Sequence, residues 1–328
     1  MPDLSRRQFL TATAALAALP VAAESPKHKI PRRPLGKTGM EVSILGLGGG
    51  SQFLNACKTD EEAVELVNTA IDGGINYLDS AWSYGNGKSL GWYGLVLAKR
   101  RAEVFVTSKT DKRDRDAALR EVESSLKNLQ TDRIDIMQIH SIAPDEDLDR
   151  ILARDGVYRA LLELKEQKVI RAVGITGHLA AVKMKILVER MDALDTILFP
   201  INPFRDSRHY IPAREESNAD GHFKQNLLPA ARARNLGIIA MKTTAQGQLI
   251  GEGPGKTDAA TLLRFAMSAP GVATAIVGPG SLANLKNNLQ TAQNFKPMPE
   301  SERARLSRHI TATNHHFAYR DPHYRDSA

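Results

Sequence analysis

Cysteine and aromatic side chains are scarce in this sequence of 328 residues. Cys57 is the single cysteine, which excludes an intrachain disulfide framework, and no group of cysteines and histidines has the spacing of a zinc finger or an iron–sulfur centre. A bound metal is therefore not expected. Aromatic residues make up 5% of the chain, and the charges behind its formal net charge of +7 are spread along it. Nucleic-acid binding requires basic stripes interleaved with aromatics, so the pattern indicates a solvated basic surface and no nucleic-acid partner.

The first 23 residues combine a charged start with a short apolar stretch. Arg6 and Arg7 precede the apolar residues 11–20, and the small residues 21–23 suit a signal-peptidase cut. The apolar stretch is shorter than the about 20 residues that a membrane-spanning helix needs. Together these residues resemble a bacterial twin-arginine export signal. A short amphipathic helix at the start of the chain is the alternative.

This resemblance implies the twin-arginine export machinery as a partner and a periplasmic or otherwise exported location. It also implies no stable membrane insertion once the signal over residues 1–23 has been removed. A polar, proline-containing linker is expected at residues 24–34. The twin-arginine route carries proteins that have already folded, which suits an enzyme that binds a cytoplasmic cofactor before export.

In the rest of the chain, short apolar runs alternate with longer stretches of helical periodicity. Eight runs in about 250 residues are typical of a closed parallel (βα)8 barrel, whose strands are covered on both faces. A doubly wound dinucleotide-binding sheet is the rival, but Gly46–Gly50 lacks both the Gly-x-Gly-x-x-Gly spacing and an immediate helix. The eight runs are Ile44–Gly48, Ile75–Asp79, Val104–Ser108, Ile134–Ile139, Val169–Ile175, Thr196–Phe199, Gly237–Met241 and Thr274–Val277.

Helix signals lie between these runs. Thr59–Glu62 forms a capping box, and apolar side chains then recur at helical spacing until Gly73 and Gly74 end the helix. Between residues 119 and 129, leucine and valine recur at three- and four-residue steps, with charged residues on the other faces. Both helices are expected to pack an apolar face on the sheet.

Four polar residues lie at or just after the ends of three consecutive runs. They are Asp79, Tyr84, Lys109 and His140. Each has an ordinary structural explanation, such as a helix cap, a loop filler, an ion pair or a buried imidazole. In a βα barrel, however, the carboxyl ends of the strands meet at one mouth, where such barrels carry their chemistry. An acid, a phenol, an ammonium and an imidazole at one mouth form a proton-transfer set.

Their chemistry fits the reduction of a carbonyl. A nearby ammonium favours the phenolate, so Lys109 is expected to lower the pKa of Tyr84, and Asp79 is expected to keep Lys109 charged and in place. Tyr84 then donates a proton to the oxygen that gains negative charge, while His140 donates a hydrogen bond to the same oxygen. No side chain delivers hydride, so a nicotinamide or flavin has to supply it.

These residues and their surroundings resemble the aldo-keto reductase family over roughly residues 30–295. The resemblance rests on the four residues above, on residues 33–43, 73–79 and 174–178, and on the segment from 276 to 288. It implies a (βα)8 TIM barrel over residues 35–328, including a C-terminal tail, with an N-terminal β-hairpin that closes the barrel floor. It also implies NADPH-dependent reduction of an aldehyde or ketone to an alcohol, or the reverse. Tyr84 would be the general acid, tuned by Lys109 and Asp79, and His140 would orient the carbonyl.

The resemblance carries over to the cofactor-binding positions less completely. Gly278 and Asn284 stand where many members have lysine and arginine around the adenosine 2′-phosphate. The resemblance implies NADP(H) as the cofactor, and the absence of these two basic residues makes NAD(H) the alternative. The positions implied to bind cofactor are Thr176, Gly177, His178, Lys242, Gly278, Gly280, Ser281, Asn284 and Asn288.

Two functions of different classes remain open from the sequence. The complete set of four residues favours an exported NAD(P)H-dependent reductase with a small-molecule carbonyl substrate. A non-catalytic nucleotide- or partner-binding barrel is the alternative, favoured by Gly177 and Leu198 where many members have nicotinamide-binding side chains. Segments expected to set specificity are residues 52–59, 204–222 and those after 312, with Trp82 and Trp92 at the mouth.

Overall fold

The computed structural model describes residues 29–204 and 223–313 of the chain. The predicted export signal, residues 24–28 of the predicted linker, residues 205–222 of one specificity segment and the tail from residue 314 lie outside the described residues. No helix within the described ranges is long and apolar enough to span a membrane.

Eight parallel strands close into a barrel, as predicted. Each strand pairs with the next one along the chain, and the last pairs with the first, joining Ala275 to Leu45. All eight predicted runs are barrel strands, with ends that shift by at most two residues. The barrel strands are β3 (Leu45–Gly48), β4 (Tyr77–Asp79), β5 (Phe105–Thr110), β6 (Ile134–Ile139), β7 (Ile170–Thr176), β8 (Thr196–Pro200), β9 (Gly237–Met241) and β10 (Val272–Val277).

Helices connect these strands and cover the outside of the barrel. They are α1 (Ser51–Ala56), α2 (Asp60–Asp72), α3 (Lys88–Arg100), α4 (Arg115–Leu129), α5 (Leu148–Leu152), α6 (Val157–Glu166), α7 (Ala181–Arg190), α8 (Leu228–Ala233), α9 (Ala259–Met267), α10 (Leu282–Gln293) and α11 (Glu300–Thr313). Short 3-10 turns occupy Gly36–Thr38 and Arg101–Glu103, and a π-helical turn at Phe223–Leu227 precedes α8. Helices on the outside of a parallel barrel bury the apolar faces of its strands.

The two helices predicted in detail show where sequence patterning holds. In α2 the Thr59 hydroxyl accepts a hydrogen bond from the Glu62 N–H at 3.3 Å, and the predicted apolar face is buried. In α4 the Asp114 carboxylate caps the first turn, but the buried face includes Ser125 and also Glu121, whose charged side chain was expected on an outer face. The partner of Glu121 lies near the carboxyl ends of the strands and is described with the site.

A β-hairpin closes the barrel floor, as predicted. It is formed by β1 (Arg32–Pro34) and β2 (Glu41–Ser43), and β1 lies at the end of the segment expected to be linker. Leu35 and Met40 insert among inward-facing barrel residues as part of one apolar cluster. Arg33 donates hydrogen bonds to the carbonyls of residues 267 and 272, both at 2.7 Å. The hairpin leaves the opposite end of the barrel as the open mouth.

Two glycines of the hairpin connection allow a matched test of how closely the hairpin packs against the barrel floor. Gly36 and Gly39 both have positive φ, 52° and 72°, so alanine strains the backbone at either position. A Cβ at Gly36 would lie 2.3 Å from the Gly237 nitrogen, whereas one at Gly39 meets nothing within 4 Å. We expect Gly36→Ala to lower the free energy of unfolding by about 1–3 kcal/mol more than Gly39→Ala. Denaturant unfolding measures this difference, and equal losses would show that the hairpin does not press on the floor.

Candidate active site

The four residues predicted at the strand ends lie together at the mouth of the barrel. Lys109, near the end of β5, is 1% exposed and donates hydrogen bonds to Asp79 Oδ2 at 2.7 Å and to the Ser80 carbonyl at 2.9 Å. Its third contact is the Tyr84 hydroxyl, 3.3 Å from Nζ. A buried ammonium needs such partners because desolvation disfavours its charge. Asp79 therefore fixes Lys109 beside the Tyr84 oxygen, in the predicted arrangement.

Tyr84 reaches the mouth from a tight loop between β4 and α3. Residues 85, 86 and 87 all have positive φ, and a Cβ at Gly87 would lie 2.6 Å from the Trp82 ring, so the loop is closely packed. The Lys109 ammonium lies 4.7 Å from the centre of the Tyr84 ring as well as near its hydroxyl. A positive charge in this position stabilises negative charge on the phenolic oxygen, which eases proton donation.

Two other tyrosines lie close to Asp79 but face the interior. Burial, followed by the charge of Asp79, raises the pKa of both Tyr77 and Tyr93 well above the usual range. The Tyr77 hydroxyl accepts a hydrogen bond from Thr107 at 2.9 Å, and Tyr93 donates to the Leu47 carbonyl at 3.3 Å. Both stay neutral phenols in the core. Of these three tyrosines, Tyr84 is the one that lines the cleft at the barrel mouth.

His140 follows β6 and stands edge-on to Tyr84. The two ring centres are 5.7 Å apart, with an angle of 74° between the planes. The imidazole is 2% exposed, and its Nδ1 lies 2.8 Å from Asp111 Oδ1. The His140 backbone carbonyl accepts a hydrogen bond from Arg113 at 2.8 Å. The structure thus joins all four predicted residues and adds Asp111 as a partner of His140.

Asp111 and its supports were not identified from the sequence as site residues. Glu121, from the buried face of α4, accepts hydrogen bonds from the Asp111 backbone N–H at 3.0 Å and from the Thr110 hydroxyl. Arg113 forms two hydrogen bonds with Glu146, each of 2.8 Å. The run of charged residues after β5 has the composition of a solvated loop, and its local spacing contains no signal for these partners.

A cleft lies beside Tyr84 at the ends of β3, β9 and β10. The space between its walls, including the part open to solvent, is about 660 Å³. Glycine shapes one wall, because a Cβ at Gly48 would lie 3.0 Å from the Gly278 nitrogen. The cleft is also lined by Lys242, a cation suited to a phosphate or carboxylate. The lining residues are Gly48, Gly50, Ser51, Gln52, Asp79, Tyr84, Met241, Lys242, Thr243, Thr244, Gln246, Ile276, Val277 and Gly278.

Lys242 and Gly278 are the predicted cofactor positions among the residues that line this cleft, and the other seven lie before and within α10 and at or after the end of β7. Ser281 caps α10, its hydroxyl accepting from the Asn284 N–H at 3.1 Å. Backbone N–H groups at such a helix start are oriented to bind phosphate. Gly280 and Asn288 lie on either side of this cap, before α10 and inside it. The start of α10 therefore follows closely on the cleft wall at Gly278 and offers N–H groups to an anion.

The end of β7 is held by a hydrogen bond at Thr176 and by close packing at Gly177. The Thr176 hydroxyl accepts a hydrogen bond from the Ser141 N–H at 2.9 Å, which places it beside the residue after His140. A Cβ at Gly177 would lie 2.5 Å from the Met184 sulfur, so the glycine meets a packing requirement. His178 follows directly and is partly buried.

Trp92 does not line the mouth, contrary to expectation. Its ring is 2% exposed between α3 and α1, packed edge-on against Phe53 at 5.5 Å, and its Nε1 donates to Asp60 at 2.7 Å. Helical spacing places Trp92 on the face of α3 that packs on neighbouring elements. The ranges 29–204 and 223–313 hold no group of three or more histidine, cysteine, aspartate or glutamate residues arranged for a metal ion.

A family model for aldo/keto reductases matches residues 45–259, which include all four residues at the mouth. The chain belongs to the aldo/keto reductase family. Membership makes it an NAD(P)H-dependent oxidoreductase. It is 26% identical to the oxidoreductase YqkF of Bacillus subtilis, a match over 85% of this chain and 96% of YqkF. It is 29% identical to L-galactose dehydrogenase of Arabidopsis thaliana, a match over 69% of each protein.

Solved structures of aldo-keto reductases share the fold. One from Klebsiella pneumoniae in complex with NADPH has a TM-score of 0.69 at 20% identity, covering 87% of this chain and 95% of that one. The holo form of another, from Bacillus halodurans, has a TM-score of 0.68 at 23% identity, covering 89% of this chain and 99% of that one. The predicted TIM barrel is confirmed.

Proposed function

We propose that this aldo/keto reductase converts an aldehyde or ketone to the alcohol, or the reverse, with Tyr84 as the general acid. The observation that carries the proposal is the position of the Lys109 ammonium, 2.7 Å from Asp79 and 3.3 Å from the Tyr84 hydroxyl. If Lys109 and Asp79 formed an ion pair with a structural role alone, the Tyr84 hydroxyl would not need to lie beside the Lys109 ammonium. The Tyr84 hydroxyl at the cleft wall is the proton donor that carbonyl reduction requires.

The chain's own residues then have separate tasks. A bound nicotinamide cofactor would supply the hydride. Tyr84 donates its proton to the carbonyl oxygen as that oxygen gains charge, and Lys109 stabilises the negative charge left on the phenolic oxygen. His140 orients the carbonyl oxygen by a hydrogen bond. Asp79 holds the Lys109 Nζ beside the Tyr84 hydroxyl, and in alcohol oxidation the same groups act in reverse.

NADP(H) is the cofactor we propose, held by Lys242, by the glycine wall at Gly278 and by the start of α10. Two features support it: the cleft at Tyr84 is lined by the Lys242 cation and by Gly48, Gly50 and Gly278, and the similar barrel from Klebsiella pneumoniae is in complex with NADPH. Thr176, Gly177 and His178 would lie at the nicotinamide end, with Gly280, Ser281, Asn284 and Asn288 at the adenosine end. Gly278 and Asn284 offer no cation, so discrimination against NAD(H) should be weak.

Adding a cation at the start of α10 tests that assignment. Asn284 is exposed and lies three residues after the cap Ser281. We expect Asn284→Arg to raise the preference for NADPH over NADH about tenfold or more, since arginine binds phosphate with charge-assisted hydrogen bonds. Asn294→Arg, at the other end of α10, adds the same charge and should leave the preference unchanged. Dissociation constants from nucleotide titrations measure both, and equal shifts in the two variants would refute the placement.

The function itself is tested by turnover. The purified protein should oxidise NADPH or NADH in the presence of an aldehyde from a panel of sugar aldehydes, uronates and short ketoaldehydes. The panel follows the names of relatives, which include an L-galactose dehydrogenase, a D-galacturonate reductase and methylglyoxal reductases. Tight nucleotide binding without turnover of any substrate would instead support a non-catalytic nucleotide-binding barrel.

We propose further that the protein is exported through the twin-arginine pathway, already folded and with cofactor bound. The pattern of Arg6 and Arg7 before a short apolar stretch supports this location. Expressed in a bacterium with that pathway, the chain should be shortened near residue 23 and found in the periplasm. Replacing both arginines with lysine should hold the full-length chain in the cytoplasm. Periplasmic recovery of that variant would refute the assignment.

A further inference from the structure

We propose that Asp111 is a positioning residue that keeps a proton on Nδ1 of His140, so that Nε2 faces the substrate oxygen as an acceptor in the neutral imidazole and as a donor in the imidazolium. The inference deepens the proposed reductase function and rests on it for its kinetic consequences. Its basis is the 2.8 Å distance between Asp111 Oδ1 and His140 Nδ1. An ionised carboxylate accepts hydrogen bonds but donates none, so the nitrogen that faces it carries the proton.

Asp111 is held in the ionised form this argument needs. Partial burial raises the pKa of Asp111, but the hydrogen bond and charge of His140, with further help from Ser83 and Arg113, outweigh burial and bring the pKa below its ordinary value. The Ser83 hydroxyl also lies 3.4 Å from His140 Nδ1. At neutral pH the dyad therefore pairs a carboxylate with an N–H donor.

The fold fixes both members of this dyad, although the Asp111 side chain is 40% exposed. The Asp111 backbone N–H donates to the buried carboxylate of Glu121 at 3.0 Å. Arg113 donates to the His140 carbonyl at 2.8 Å while two hydrogen bonds to Glu146 hold its guanidinium. Asp111 thus approaches the imidazole from an anchored connection between β5 and α4.

The protonation pattern links the dyad to the direction of catalysis. With the proton on Nδ1, a neutral imidazole can only accept at Nε2, which suits the hydroxyl of an alcohol. The imidazolium donates at Nε2, which suits a carbonyl oxygen. Of the charged groups around His140, Asp111 favours the imidazolium, whereas Arg113 and Lys109 oppose it and are themselves paired with Glu146 and Asp79.

Nitrogen chemical shifts test the protonation pattern without any turnover. Long-range hydrogen–nitrogen correlation spectra of the whole protein distinguish the two neutral imidazole forms, and the His140 signals are those lost in His140→Gln. We expect Nδ1 to be protonated in the parent protein and the pattern to change in Asp111→Ala. A proton on Nε2 of the neutral ring, or a spectrum that Asp111→Ala leaves unchanged, would overturn the proposal.

Kinetics test its consequence. We expect Asp111→Asn to lower kcat for carbonyl reduction about 10- to 100-fold, as is usual when the orienting partner of a functional histidine is changed. The fall in reduction rate at high pH should begin at lower pH, because the imidazolium loses its stabilising carboxylate. Asp111→Glu should restore part of the rate. Asp116→Asn removes the same charge from an exposed pair with Arg115 and should change neither quantity.

The two tests separate this inference from the proposed function. If no carbonyl compound is turned over but the His140 shifts depend on Asp111 as described, the reductase function fails and the dyad stands. If turnover depends on Tyr84 but neither the His140 nitrogen shifts nor the pH profile of reduction changes in the Asp111 variants, the inference fails and the reductase function stands.

Discussion

Phenylalanine in place of Tyr84 is expected to reduce turnover about 10²- to 10⁴-fold, the usual contribution of a general acid. The substitution removes one oxygen, the atom 3.3 Å from the Lys109 ammonium, and keeps the ring that packs near His140. Because the ring still fills its place, nucleotide binding should stay within about twofold of the parent, a difference well under 1 kcal/mol. Steady-state rates and nucleotide titrations on the same preparation measure the two effects.

A second tyrosine serves as the control. Tyr158, on α6, accepts a hydrogen bond from the Ala193 backbone N–H at 3.0 Å, away from the cleft lining. Tyr158→Phe removes an equivalent hydroxyl and should leave turnover unchanged. Full activity in Tyr84→Phe would rule out Tyr84 as proton donor. Equal losses in both variants would indicate a general effect of removing a tyrosine hydroxyl.

The barrel could be predicted from sequence because its rule is local and repeated. A strand covered on both faces is a short apolar run, and each run is followed by helical periodicity. The strand ends differ slightly because pairing decides them: Val272 pairs with β9 although the predicted run begins two residues later. Closure is not local, yet it follows once eight parallel units are present.

The convergence of Asp79, Lys109 and His140 could be predicted for the same reason. Each lies at or just past the end of its strand, and topology brings those ends together. The Asp111–His140 contact could not be predicted, because it depends on the backbone conformation of the residues between β5 and α4. Lys109 and Asp111 are two residues apart in the sequence, a spacing that would allow them to form an ion pair. Instead Lys109 bonds Asp79 on the neighbouring strand, and Asp111 bonds His140.

Glu121 shows a second limit of sequence patterns. Glu121 is not one of the apolar positions of α4, so the sequence pattern places it on a charged outer face. Its burial is explained only by its hydrogen-bond partners. Those partners are the Thr110 hydroxyl and the Asp111 backbone N–H, both at the end of β5. A buried carboxylate is stable when such donors satisfy it. Periodicity measures how apolar a face is and carries no information about donors on another element.

Variants of the buried Lys109–Asp79 ion pair distinguish the effect of the pair on stability from its effect on catalysis. Lys109 and Asp79 have side chains 1% and 2% exposed, so Lys109→Met leaves a carboxylate buried without its cation. We expect this variant to lose about 3–5 kcal/mol of unfolding free energy, the usual cost of removing one partner from a buried pair. Turnover should also fall about 10²- to 10³-fold, because the Tyr84 oxygen loses the ammonium that stabilises its negative charge.

Adding Asp79→Asn to Lys109→Met should recover most of the stability and none of the activity. The second change removes the unpaired buried charge, whereas the Tyr84 hydroxyl still lacks an ammonium.

Lys165→Met is the control for this pair of variants. Lys165 pairs with Asp195 at 2.5 Å, but the Lys165 side chain is 32% exposed and Asp195 keeps a hydrogen bond from the Val173 N–H. It should cost about 0.2–1 kcal/mol and leave turnover intact. Denaturant unfolding and steady-state rates decide the outcome. If activity returned with stability in the double variant, Lys109 would be a structural residue, since a group that acts on the Tyr84 proton cannot be replaced by a neutral chain.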